Sequence, residues 1–222
     1  MKCSSMKCSS TKYMALIGVV MSAPLYAAEQ TFPVDSFNQL VLSKGMNAEV
    51  VCSSTPQVVA SGKQYLLDKL QLGVTGDKLS LVNDGYRDEG FWPDKLTVKI
   101  YTNKPLTSVE AQFGVSVDAG DCALADEQLA VKGSMGAAYA LKGNVNTLDL
   151  DISMGADFNS EINDFYAHKA NVTVAMGAKA NLCHVDTVNG SASMGAKVVL
   201  GKQTQSHLSV SMGGYSTRSD CQ

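Results

Sequence analysis

Through the second half of the chain, apolar and polar residues alternate in short, regular runs. Leu148, Leu150, Ile152, Met154, Ala156 and Phe158 share one parity, and Asp149, Asp151, Ser153, Gly155 and Asp157 share the other. The same parity runs through Val172, Val174, Met176, Ala178, Ala180 and Leu182, and again through Leu208, Val210 and Met212. A period of two belongs to a strand with one buried face, whereas a 3.6-residue period would scatter these side chains around a helix. The pattern predicts β-strands here and excludes helices.

The runs also share wording. GSMGAA occurs at 133–138, ISMGAD at 152–157, VAMGAK at 174–179, ASMGAK at 192–197 and VSMGGY at 210–215. The methionines Met135, Met154, Met176, Met194 and Met212 are spaced by 19, 22, 18 and 18 residues. A unit that returns in the same sense every ~20 residues stacks like on like only if successive copies lie parallel, as in a β-solenoid. The fold class expected is all-β, a single-stranded parallel β-helix of about 20-residue coils with an N-terminal capping region. In phase with Leu, Val and Ile, the five methionines are expected to form an internal ladder, with the glycine after each letting the chain bend at a corner. A methionine row acting as metal ligands would need an accessible surface, and the parity assigns it to the core instead.

The first half is less regular. Strand-like runs occupy 37–42 (FNQLVL), 47–52 (NAEVVC), 78–82 (KLSLV) and 95–101 (KLTVKIY), and residues 63–70 (KQYLLDKL) read as a short helical segment. A coil stack has raw ends that invite further strands, so these elements are expected to supply both opening coils and a cap.

The extreme N-terminus is not expected to belong to the fold. Lys2, Lys7 and Lys12 precede the apolar run YMALIGVVMS at 13–22 and the small-residue stretch ending at Ala27 and Ala28, the layout of a secretory signal. Its apolar run is about half the roughly 20 residues that span a bilayer. The expected organisation is a signal at 1–28 and one domain at 29–222, with 29–110 as N-terminal strands and cap and 111–222 as repeat coils. No membrane span is expected after signal removal. Location is expected to be exported, in the periplasm, at the cell surface or extracellular.

Removing the signal leaves 15 Lys+Arg against 21 Asp+Glu, a formal charge of −6. That excludes nucleic acid as a partner, which requires a basic footprint. Cys52, Cys122, Cys183 and Cys221 remain. In an oxidising compartment they allow two disulfides, with three connectivities open.

The order of segments VDSFNQLVLSKGMNAEVV, QVVASGKQYLLDKLQLGVTGDKLSLV and then tandem small-residue, Gly-containing motifs resembles the head GIN domain family (DUF2807), whose members are described as putative autotransporter adhesins. The resemblance covers roughly residues 32–216. This chain writes Ser-Met-Gly-Ala where the family's repeat is Ser-Gly-Ser-Gly-Asp-like. The resemblance implies a β-helical envelope protein.

Catalytic chemistry is not expected. β-Helix enzymes acting on uronate polymers need clustered carboxylates or calcium with a basic residue, and the chain has only Arg87 and Arg218. His168, His184 and His207 fall 14, 8 and 13 residues after their preceding methionines, so no site converges on them. No cofactor or metal site is expected. Two binding surfaces are. One is the turn-rich stretch 83–95 (NDGYRDEGFWPDK), where Tyr86, Arg87, Phe91 and the only tryptophan, Trp92, are flanked by acids. The other is an outer strip of short hydroxyl side chains, Ser153, Thr173, Ser191, Ser193, Ser209 and Ser211. The function expected is a non-enzymatic adhesion or glycan/protein-binding module with a cell-surface glycan or envelope protein as partner. An oligomerising envelope scaffold, paired as a homo-oligomer through an open coil end, is the second reading, and a polysaccharide-active enzyme the third.

Overall fold

The computed structural model describes residues 28–87, 94–160 and 164–221. Residues 1–27 of the expected signal, and Phe91 and Trp92, lie outside the described residues. The N-terminal half contains β1 (Ala28–Pro33), β2 (Gln39–Ser43), β3 (Met46–Cys52), β4 (Gln57–Gly62), the one-turn helix α1 (Gln64–Leu67), β5 (Leu70–Thr75), β6 (Lys78–Asn83) and β7 (Leu96–Thr102). It is followed by β8 (Ser108–Gln112), β9 (Ser116–Ala119), β10 (Gln128–Ser134), β11 (Ala138–Leu141), β12 (Gly143–Ile152) and β13 (Asp157–Asn159). The chain then adds β14 (Phe165–Val174), β15 (Lys179–Leu182), β16 (Val185–Ala192), β17 (Lys197–Gly201), β18 (Gln205–Val210) and β19 (Tyr215–Ser219).

Two sheets face each other. One runs β18-β16-β14-β12-β10-β8-β2-β6-β5 and the other β1-β4-β7-β3-β9-β11-β13-β15-β17-β19. From β8 onward each coil places one strand in the first sheet, turns, and places the next in the second. Successive coils pair parallel and in register, as in Leu148↔Ala170 and Lys179↔Lys197. These stacked coils are the β-solenoid that the alternating repeat predicts. At the N-terminal end the pairing changes sense: β4 is antiparallel to both β1 and β7, and β5 is antiparallel to β6. Antiparallel strands there occupy edges that a parallel stack would leave open.

The interior is built from the predicted parity. Leu148, Leu150, Ile152, Ala156 and Phe158 are buried, as are Val172, Val174, Ala178, Ala180 and Leu182. The T-shaped Phe158–Phe165 pair, with centroids 5.6 Å apart, fills part of the middle of the stack.

The methionine ladder departs from expectation. Met135, Met154, Met176, Met194 and Met212 are on the outside, 37 to 70% exposed. The cause is the turn. Each methionine has φ between 46° and 52°, and the following glycine φ between 71° and 74°. The residue after the glycine donates its N–H to the carbonyl of the residue before the methionine, as in Ala156 N→Ser153 O at 3.1 Å and Ala196 N→Ser193 O at 3.1 Å. Two positive φ values inside such a bond define a type I′ turn. It carries the methionine side chain outward and returns the chain to the interior at Ala137, Ala156, Ala178 and Ala196, all buried. The turns stack as well. Gly155 N donates to Met176 O at 3.2 Å, and Gly177 N to Met194 O at 3.0 Å. The glycines do sit at the corner, as predicted, because φ near 70° favours a residue without Cβ.

The cysteines resolve into two bridges. Cys52–Cys122 ties the end of β3 to the segment after β9, with Cα atoms 6.1 Å apart. Cys183–Cys221 ties the corner after β15 to the end of the last coil, with Cα atoms 5.6 Å apart.

Candidate functional site

The described ends of the 83–95 stretch are tied down. Lys44 Nζ pairs with Asp84 at 2.5 Å, and Gln71 donates to the same carboxylate. Tyr86 is half-buried with its ring against the Lys44–Gly45 turn, so close that a Cβ on Gly45 would fall 1.9 Å from a ring carbon. Asp94, at the far end, accepts from Lys63 Nζ at 2.6 Å and from the Tyr65 hydroxyl at 2.9 Å. These bonds hold the Asp94 carboxyl below the usual carboxylate range and push the Lys63 ammonium and Tyr65 phenol up. Arg87 is exposed and, with Asp84 and Tyr65, edges a shallow hollow beside α1. Tyr86 therefore packs on a turn, while Phe91 and Trp92 are outside the described residues.

The hydroxyl strip is aligned as counted. Thr173, Ser191 and Ser209 are direct neighbours on β14, β16 and β18, and Asp151 and Lys132 continue the column on β12 and β10. Ser153, Ser193 and Ser211 stand one step further on, at the first position of their turns, with Ala175 interrupting them. The arrangement is flat and lies on the outer face of the first sheet.

A better-shaped surface lies on the opposite sheet, and sequence reasoning missed it. Outward positions there form two columns. One runs Asn47, Ser116, Ala138, Asp157, Lys179 and Lys197; the other runs Lys99, Glu49, Asp118 and Ala140, with Asn159 and Asn181 beyond. Ala138 and Ala140 are short and adjacent on β11, so they form the floor of a groove of about 640 Å³ between taller neighbours. Asn47, Glu49, Ser116 and Asp118 wall one side, Asp157 and Asn159 the other. Cross-strand neighbours are ~4.8 Å apart, which puts Glu49 beside Asp118, with Lys99 3.3 Å from Glu49 to offset the like charges. The groove presents carboxylates and carboxamides over an apolar floor, a surface suited to accept hydrogen bonds from hydroxyl groups. The signal available in the sequence was AYA at 138–140, two small residues at outward positions where neighbouring coils carry Asp157, Lys179 and Lys197.

The register also places Tyr139 under this floor. Its hydroxyl donates to the Lys132 carbonyl, and burial pushes the phenol far above its usual range. Gly133 leaves room for the ring, since a Cβ there would lie 2.7 Å from it.

His168 and His184 lie on neighbouring coils, on either side of the Ala167–Val185 pairing. His168 Nδ1 lies 2.9 Å from Asp186 on an exposed surface, and the His184 ring stacks on Tyr166 with centroids 4.7 Å apart. Among the described residues no group of three or more His, Cys, Asp or Glu side chains is placed to hold a metal ion. Among them, too, no helix is long and apolar enough to cross a membrane.

Comparison with known proteins follows the same lines. The model of the family described as putative auto-transporter adhesin, head GIN domain (DUF2807), matches residues 36–203. Two solved structures are similar in fold. A putative adhesin from Bacteroides fragilis is 13% identical, with 86% of this chain and 95% of that one covered and a TM-score of 0.59. A putative adhesin from Parabacteroides merdae is 13% identical, with 89% and 98% covered and a TM-score of 0.53. No curated protein matches the sequence.

Proposed function

The chain belongs to the head GIN domain family of putative auto-transporter adhesins, and from that premise we propose that it is an exported, non-enzymatic adhesion module that binds a hydroxyl-rich ligand, such as a cell-surface glycan, in the β11 groove. The observation that carries this reading is the Ala138/Ala140 floor walled by Asn47, Glu49, Asp118, Asp157 and Asn159. Short floor residues admit a flat ring face, and the flanking oxygens accept from its hydroxyls. Two disulfides fit an oxidising compartment, which supports reading residues 1–28 as a removed signal. The 83–95 stretch with Tyr86, Arg87, Phe91 and Trp92, and the hydroxyl strip of Ser153, Thr173, Ser191, Ser193, Ser209 and Ser211, are secondary contact surfaces in this account.

The test is direct binding of the mature protein to a broad panel of glycans and envelope polysaccharides. Ala138→Tyr fills the groove from a half-buried, outward-facing position. It is expected to remove saturable binding, and Asp118→Asn with Asp157→Asn to weaken it by about 1–3 kcal/mol. Binding that survives Ala138→Tyr unchanged would reject the groove. Absence of binding across the panel would reject the glycan reading.

A further inference from the structure

The five outward methionines form a single file along one edge of the solenoid. Their turns are stacked by the bonds from Gly155, Gly177 and Gly195 to the carbonyls of Met176, Met194 and Met212. The spacing between parallel neighbours is about 4.8 Å. The five side chains are open to solvent, 37 to 70% exposed, and nothing lies within 4 Å of where a Cβ on the glycine after each would sit.

Turn geometry does not select methionine. The same pair of positive φ values occurs in the two coils nearest the cap, at Lys44–Gly45 and Phe113–Gly114, and Gly45 N donates to Phe113 O at 2.8 Å. Lysine and phenylalanine are therefore accommodated at this corner. Core packing does not select it either, since these five side chains lie outside the core. Yet five of the six methionines after residue 28 stand here, the sixth being the fully buried Met46. An apolar docking edge would be served by leucine or valine, and what methionine adds is sulfur.

We propose that the column Met135, Met154, Met176, Met194 and Met212 is a binding edge for a soft monovalent cation, copper(I) or silver(I), held between thioethers of adjacent coils. Uncharged thioether sulfur selects soft ions over magnesium, calcium or zinc. An ion bonded to two sulfurs at about 2.3 Å each, the length of a zinc–sulfur bond, spans about 4.6 Å, close to the coil spacing. The ladder thus offers a pair of donors between each two neighbouring turns without rearranging the backbone. The inference is independent of the groove on the second sheet.

The test uses silver(I) as probe, on disulfide-intact protein with ¹³C-labelled methionine methyl groups. Silver is expected to shift the five column methyls in a saturable way and to leave Met46 unmoved. Zinc(II) is expected to leave all of them in place. Met176→Leu keeps the apolar bulk and breaks the file at its centre. With Met154→Leu and Met194→Leu added, affinity is expected to fall by about a hundredfold, the advantage of a second donor held at fixed distance. Urea unfolding of each variant confirms that the coils persist. No saturable shift with silver, equal shifts with zinc, or undiminished affinity in folded leucine variants would overturn the proposal.

Discussion

At the scale of the residue, the unusual expense is a methionine in the left-handed region. For an L-residue with a Cβ that conformation costs roughly 1–2 kcal/mol, and asparagine or glycine normally takes the first central position of a type I′ turn. Here Met154 (φ 49°), Met176 (φ 52°) and their counterparts hold it five times over. Met176→Asn, at an exposed site, is therefore expected to raise stability by about 0.5–1 kcal/mol, read as a higher urea midpoint at unchanged slope. The same geometry explains why the alternation misled. A two-residue turn preserves parity, so Ile152 and Ala156 both face inward whether Met154 is inside or out. Period counting cannot separate those cases. Only the turn chemistry of a residue-Gly pair could have done so, and methionine is not a residue that announces such a turn.

At the scale of the element, the coil is the unit, and much of it was legible. The strands in the repeats, their parallel register and the corner glycines follow from period-two alternation recurring at ~20 residues. The pairing of the cysteines was not legible, because it depends on which coils become neighbours. Cys52 and Cys122 are 70 residues apart, yet β3 and β9 lie side by side. The groove also needed register, since Ala138 and Ala140 matter only against Ser116, Asp118 and Asp157 on adjacent strands. The last coil has its own fastenings. Arg218 aligns with Leu200, and its Nη1 donates to the carbonyls of Gly201 (2.9 Å), Lys202 (3.1 Å) and Thr204 (2.9 Å). Cys183–Cys221 closes 38 residues around the same coil. Replacing both cysteines by serine is expected to cost up to about 4 kcal/mol on the chain-entropy account. Because contacts in a solenoid run between neighbours, hydrogen exchange should show the loss first in β18 and β19, with β10 and β12 still protected. Uniform loss across the stack would contradict a coil-by-coil architecture.

At the scale of the molecule, the solenoid turns one short phrase into surfaces with different characters. The second sheet carries an alanine-floored groove bordered by oxygens, the first sheet a flat hydroxyl strip, and the corner between them a column of sulfur. The function proposed for the groove and the cation edge both rest on where the repeat points its side chains, and the methionines report that most directly. Mild peroxide oxidation followed by peptide mass spectrometry reads each site separately, because sulfoxide formation follows the exposure of the thioether. The account predicts fast oxidation of Met135, Met154, Met176, Met194 and Met212, with Met212, the most exposed at 70%, at least as fast as the others, and protection of Met46 at 0% exposure. Protection of the five repeat methionines to the level of Met46 in the folded protein would contradict it and return the ladder to the core.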